Sequence, residues 1–169
     1  AQEERGLFIV ITGNGKGKST SGFGTVTRAV GHGLKAAVCQ FIKGTWECGE
    51  RNLLEKAGVE FHVMATGFTW NTQDFEKDRA AAEKVWQQAL PLLSNPDYDL
   101  VVFDEITYMF KFRYLEIDEV IRAIHNRPKQ QNHLSILHLN RSIPGQQPMS
   151  NQLFTCKSTS LSNLLVNQS

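Results

Sequence analysis

The chain has 169 residues, 18 basic and 17 acidic side chains, a formal net charge of +1, and 41% apolar and 9% aromatic residues. That length suits about one domain, and the balanced charge excludes a disordered polyelectrolyte and gives no reason to expect a nucleic-acid partner. No apolar run approaches the roughly 18 residues that cross a bilayer, so no membrane partner is expected.

The N-terminus, Ala1-Gln2-Glu3-Glu4-Arg5, is not a signal peptide, and its lack of Met suggests trimming. Leu7 to Ile11 (Leu-Phe-Ile-Val-Ile) is a continuous β-prone run, as expected of a strand buried on both faces of a parallel sheet. It leads into Thr12-Gly13-Asn14-Gly15-Lys16-Gly17-Lys18-Ser19. The last three positions match the phosphate-loop pattern G-x-x-x-x-G-K-[ST], while Thr12 stands where the first glycine belongs. Glycines let backbone N–H groups turn inward around phosphate oxygens, and the N-terminus of the following helix adds its positive end. Gly13, Asn14, Gly15, Lys16, Gly17, Lys18 and Ser19 are therefore the expected nucleotide-phosphate site, with the Ser19 hydroxyl a ligand for Mg2+. A ligand-free glycine turn is the bland alternative.

The helix after the loop is expected from Lys18 to about Val30, ending at Gly31-His32-Gly33. Arg28 on this helix could reach a phosphate or ribose, and a solvated salt-bridge role is equally open. A second strand is expected over Ala36–Ile42, a short helix over Arg51–Lys56 stopping at Gly58, and a third strand over Val59–Met64. Ala65-Thr66-Gly67-Phe68-Thr69-Trp70 follows. Its two rings, Phe68 and Trp70, would form a platform for a large flat ligand or plug the core from the loop. Asp74 to about Leu93 reads as a long helix, with Pro91 bending or ending its last turn. Leu100-Val101-Val102-Phe103 is an apolar strand ending in Asp104-Glu105, the form of a strand whose terminal acid faces magnesium. Neighbouring residues point different ways, so one of Asp104 and Glu105 is expected to touch the metal. Ile117, Val120, Ile121 and Ile124 share a face of a helix that Arg127-Pro128 closes. Strands alternating with helices imply a parallel α/β sheet with right-handed crossovers.

The composition changes near the end. Through Glu119 there are 13 basic and 17 acidic residues; the last 50 residues hold five basic residues and no acid. From Lys129 to Ser169, Ser, Asn and Gln supply 18 of 41 residues. The chain is therefore divided into a nucleotide-binding domain over 1–128 and a polar tail over 129–169. Leu134–Leu139 is the one stretch of the tail expected to add a strand beside the sheet, with Ser142 onward loosely packed. A basic tail binding an acidic partner is the less favoured reading. The three cysteines (Cys39, Cys48, Cys156) have no metal-type spacing and suit a reducing, cytoplasmic compartment. The five histidines show no ligand spacing, and no Ser-His-Asp or Cys-His set is evident, so no catalytic nucleophile is expected.

The glycine loop, Gln40-Phe41-Ile42-Lys43-Gly44, Gly49-Glu50-Arg51-Asn52, the segment Ala65 to Trp70, and Asp104-Glu105 with Tyr108 together resemble the ATP:corrinoid adenosyltransferases over about residues 3–128. The loop combined with Thr-Gly-Phe-Thr-Trp is the specific part of that likeness. The resemblance implies a three-layer, open, mostly parallel sheet of the P-loop NTPase (RecA-like) type. It implies adenosyl transfer from ATP to a reduced corrinoid, with Gly13–Ser19 on the triphosphate and Phe68 and Trp70 against the corrin. It also implies a homodimer working with a reduced flavoprotein. Ser19 stands where the family usually has Thr, and after Pro128 the resemblance is expected to stop. A phosphate-loop nucleoside kinase is the runner-up, and a partitioning-type ATPase a distant third, because Gly13 stands where that class carries an extra lysine.

Overall fold

The computed structural model describes residues 5–42, 48–64 and 74–138. In chain order the elements are β1 (Phe8–Gly13), α1 (Lys18–Gly31), β2 (Ala36–Gln40), α2 (Gly49–Lys56), β3 (Glu60–Val63), α3 (Phe75–Ser94), β4 (Leu100–Asp104), α4 (Thr107–Lys111), α5 (Ile117–His125) and β5 (Asn132–His138). All five strands are parallel and lie in the order β1-β5-β4-β2-β3. Parallel strands need both faces covered, and the side chains sort accordingly. Phe23, Val26 and Ala29 of α1 and Leu54 of α2 pack with Val38, Val102, Leu134 and Ile136 on one face. Trp86 and Ala89 of α3, Met109 of α4 and Ile124 of α5 pack with Cys39, Val101, Phe103 and Leu137 on the other. The result is the expected three-layer, open α/β architecture of the P-loop NTPase type.

Local chemistry explains most boundaries. Asp74 caps α3 by accepting the Lys77 N–H at 3.2 Å, and Glu76 and Asp78 lie in the first turn, where the helix dipole favours acids. Pro91 does not end α3, which continues to Ser94. Near the end of a helix, one missing N–H is a small loss against Leu92 and Leu93, both buried in the core. The five-residue α4 has no counterpart among the sequence expectations. Glu105, at φ 63°, turns the chain sharply after β4, and α4 then buries Thr107, Met109 and Phe110.

The largest departure is β5. The sequence predicts a strand here, but beside the sheet; it runs between β1 and β4, and lies beyond the boundary placed at residue 128. Three polar side chains explain how so polar a segment seats inside the sheet. Arg127 donates to the Ile124 carbonyl at 2.7 Å and to the Gln131 carbonyl at 3.0 Å. Gln131, 2% exposed, donates to the Leu92 and Asn95 carbonyls at 2.9 and 3.0 Å, serving the end of α3. Asn132 accepts the Leu7 N–H and donates to the Asp99 carbonyl, joining the starts of β1 and β4. Amides here replace apolar area with backbone satisfaction. Residues 139–169 lie outside the described residues, and with them the expectations for Ser142 onward.

Candidate active site at the carboxyl edge of the sheet

In an open parallel sheet, ligands bind beyond the carboxyl ends of the strands. Gly13, Gln40, Val63, Asp104 and His138 end the five strands at that edge. The glycine loop leaves β1 there, and Gly13, Gly15 and Gly17 have φ of 143°, 100° and 98°. A side chain at these φ values is strained whatever the space around it, so the loop's shape needs glycine. Gly17 precedes the first residue of the 14-residue α1, whose free N–H groups face the loop. Lys18 folds back and donates to the Gly15 carbonyl at 2.7 Å, which holds its ammonium at the loop mouth. Lys16 and Asn14 are exposed around it.

Ser19, in the first turn of α1, donates through Oγ to Asp104 Oδ1 at 3.1 Å. Asp104 is 2% exposed and takes a second donor, Gln40 Nε2, on Oδ2 at 3.2 Å. The loop and the acid thus meet, although β5 lies between their strands. Of the two adjacent acids, Asp104 is the one drawn to Ser19. Glu105 follows at a positive φ, and its charge acts on Tyr108, whose phenol pKa is raised by burial and then by the Glu105 charge. A hydroxyl and a carboxylate oxygen are hard donors of the kind magnesium takes, so the pair fits that ion. Among the described residues no group of three or more His, Cys, Asp or Glu is arranged to hold a metal. Two protein oxygens suit magnesium, which completes its shell with water and phosphate.

Arg28 is not brought to the loop. It is exposed in the last turn of α1, ten residues and about 15 Å of helix beyond Lys18. Phe68 and Trp70, expected as a platform or a plug, lie outside the described residues. The segment that carries them follows Met64, just past the end of the outermost strand β3. That is four strand spacings, about 19 Å, from β1. Cys39 offers no nucleophile: burial, with the Glu60 charge adding to it, pushes its thiol far up.

Two features escaped the sequence. Gln40 donates to Asp104, a contact that its place in the Gln40–Gly44 segment of the resemblance does not announce. A row of rings, Phe75–Tyr114 at 5.3 Å, Tyr114–Phe112 at 5.7 Å and Phe112–Tyr108 at 6.2 Å, runs along the same edge from α3 to α4. Tyr108 belonged to the resemblance; the row itself depends on the turn at Glu105.

The comparisons with known proteins show the family of this chain. A corrinoid adenosyltransferase of Escherichia coli (strain K12) is 54% identical over 157 residues, covering 88% of this chain and 80% of that protein. The corrinoid adenosyltransferase CobA of Salmonella typhimurium (strain LT2) gives the same identity and coverage. A corrinoid adenosyltransferase of Pseudomonas aeruginosa is 49% identical over 134 residues, 78% of this chain and 66% of its own length. The likeness does not stop at Pro128: the first 128 residues are about three quarters of the chain, less than the 88% aligned. A family model also reaches across that point, matching residues 4–135. By that match and by the identities to its relatives, the chain belongs to the family of transferases described as ATP:corrinoid adenosyltransferase BtuR/CobO/CobP.

Proposed function

We propose that this chain transfers the 5′-deoxyadenosyl group of ATP to the cobalt of a reduced corrinoid, releasing triphosphate. Family membership supports ATP-dependent adenosylation of a corrinoid. The observation that carries the finer reading is the Ser19–Asp104 bond at the mouth of the glycine loop. It sets phosphate-binding and charge-neutralising groups together at an edge where no catalytic base or nucleophile is needed. The electron pair of the reduced cobalt attacks the 5′-carbon, the C5′–O5′ bond breaks, and its electrons leave with the triphosphate. The protein's part is to hold the triphosphate still and to stabilise its growing charge. Gly13 to Gly17 supply backbone N–H groups and Lys18 an ammonium at 2.7 Å from the loop carbonyl it crosses. Ser19 and Asp104 would hold Mg2+, which offsets phosphate charge when bound.

Phe68 and Trp70 are proposed to pack against the corrin, because their segment follows β3 at the same edge as the phosphate loop but across the sheet from it. A reduced flavoprotein is the proposed electron donor and a homodimer the proposed assembly. A kinase would use the same loop and magnesium pair but pass phosphate to a hydroxyl. Ultraviolet-visible spectra of cob(II)alamin mixed with the protein, ATP and a reductant separate the two. Adenosylcobalamin should appear with equimolar triphosphate. An unchanged corrinoid spectrum together with phosphate transfer to a nucleoside and release of ADP would sink the proposal.

A further inference from the structure

Asp104 is a buried carboxylate, and its orientation has to be held. Gln40 is the last residue of β2 and the direct ladder partner of Asp104 on β4. Its backbone is fixed on both sides: its carbonyl accepts the Met64 N–H at 2.9 Å, and the next residue, Phe41, donates to the Asp104 carbonyl at 3.0 Å. Its side chain is fully buried at 0% exposure, on the face where α1 lies. Nε2 donates to Asp104 Oδ2 at 3.2 Å, while Ser19 donates to Oδ1 at 3.1 Å. The carboxylate is thus gripped through both oxygens by neutral donors from two different elements. Such donors favour the ionised form and fix its rotation without cancelling its charge. The other amide atom, Gln40 Oε1, is buried with no hydrogen-bond partner among the described residues. A buried acceptor left open at a ligand edge is costly and is rare without a purpose. A donor arriving with the nucleotide and its hydration would satisfy it.

We infer that Gln40 is a positioning residue for the adenosyl transfer: it orients Asp104 for the cation carried by ATP and offers Oε1 to a donor in that cation's hydration shell. The inference rests on the reading of Ser19 and Asp104 as the magnesium pair. A carboxylate at position 40 would repel Asp104, and a shorter amide would not reach it, so a glutamine fits both constraints.

The test measures ATP binding calorimetrically by the full chain, once with EDTA and once with excess Mg2+, for the wild type, Asp104→Asn, Gln40→Met and Gln40→Asn. The quantity read is the gain in affinity that Mg2+ brings. Gln40→Met keeps length and apolar volume but has no donor, and Gln40→Asn keeps the amide but withdraws it by one methylene, so one remains informative if the other folds poorly. Losing one donor to a buried charge should cut the magnesium gain about tenfold or more, with metal-free ATP affinity unchanged. Electron paramagnetic resonance of Mn2+–ATP on the protein should broaden in the same variants, a signature that mere loss of stability would not give. If Asp104→Asn erases the magnesium gain and both Gln40 variants keep it, the inference is overturned while the magnesium pair stands. If Asp104→Asn also keeps it, the magnesium pair itself is wrong and the inference falls with it.

Discussion

His133 should make the protein's stability depend on pH in a way that one substitution removes. It lies on β5 with 0% exposure, packed between the rings of Phe8 and Phe103, with Nε2 at 3.0 Å from Ser135 Oγ. Burial, then the positive charge of Arg127, pull its pKa down from 6.5 to about 3, against a backbone hydrogen bond at Val101 that acts the other way. The unfolded chain therefore binds the extra proton between about pH 6.5 and pH 3, and the folded chain does not. Stability is unaffected above the unfolded value, falls as pH drops through 6.5, and levels off below about 3. At one pKa unit per 1.36 kcal/mol, the loss from this group is about 0.8 kcal/mol at pH 6 and about 2 kcal/mol at pH 5. Urea denaturation at pH 7.5, 6 and 5, on wild type and His133→Leu, reads the difference, and pH 5 leaves ordinary carboxylates ionised. The variant should lack the His133 contribution, so the gap between the two curves should change by about 2 kcal/mol across the range. Parallel curves would mean that His133 is hydrated or charged in the fold, and that β5 is not seated as described.

Lys18→Ala should weaken ATP binding strongly, since it deletes the ammonium held over the Gly15 carbonyl; equal calorimetric affinities would refute the phosphate-loop reading. Gln131→Ala should cost about 1–3 kcal/mol in urea denaturation, because two carbonyls at the end of α3 lose their donor in a buried place, and amide exchange should quicken around Leu92 to Asn95. No change in that exchange would show that the cap is incidental. Phe68→Ala or Trp70→Ala should slow adenosylation far more than it lowers the melting temperature if these rings face the corrin. A stability loss of ~3–5 kcal/mol would instead mark them as core residues.

What the sequence revealed was what is encoded within a few residues. The glycine loop needs only its own spacing and the strand before it, and Asp104 needs only to follow four apolar residues. Each conformation here is set locally, by positive φ at Gly13, Gly15 and Gly17 and by β-prone side chains in β4. Gln40 could not be read in this way, because it matters only through its register with Asp104, 64 residues later. β5 was hidden for a related reason. Gln130-Gln131-Asn132-His133 looks like a solvated turn until α3, β1 and β4 present carbonyls and an N–H that two amides can serve. Composition reports hydrophobic area, and it misses a segment held by backbone satisfaction. α4 was hidden by Glu105, since nothing in an acidic side chain announces a left-handed turn.

The seat of β5 and the geometry of the site are one contact apart. Ser19 and Gly22 are three residues apart on α1 and so share a face, while Asp104 and Ile136 stand opposite each other across β4 and β5. Ser19 meets Asp104, and Gly22 meets Ile136 beside it. A Cβ at Gly22 would overlap Ile136 Cδ1 and come within 3.2 Å of Ile136 Cγ1 and 3.5 Å of Leu134 Cδ2. Gly22 thus lets α1 approach the sheet closely enough for the Ser19 hydroxyl to reach the acid. Gly22→Ala would gain about 1 kcal/mol of helix propensity and spend it against Ile136. In an Ile136→Val background the overlapping Cδ1 is gone, so the same change should become neutral or stabilising. The double-mutant cycle should show a coupling of about 1–2 kcal/mol in stability, and Mg-ATP affinity should fall in Gly22→Ala and return in the double variant. Additive effects on both readouts would mean that α1 keeps its distance by other contacts and that the Ser19–Asp104 bond does not depend on β5.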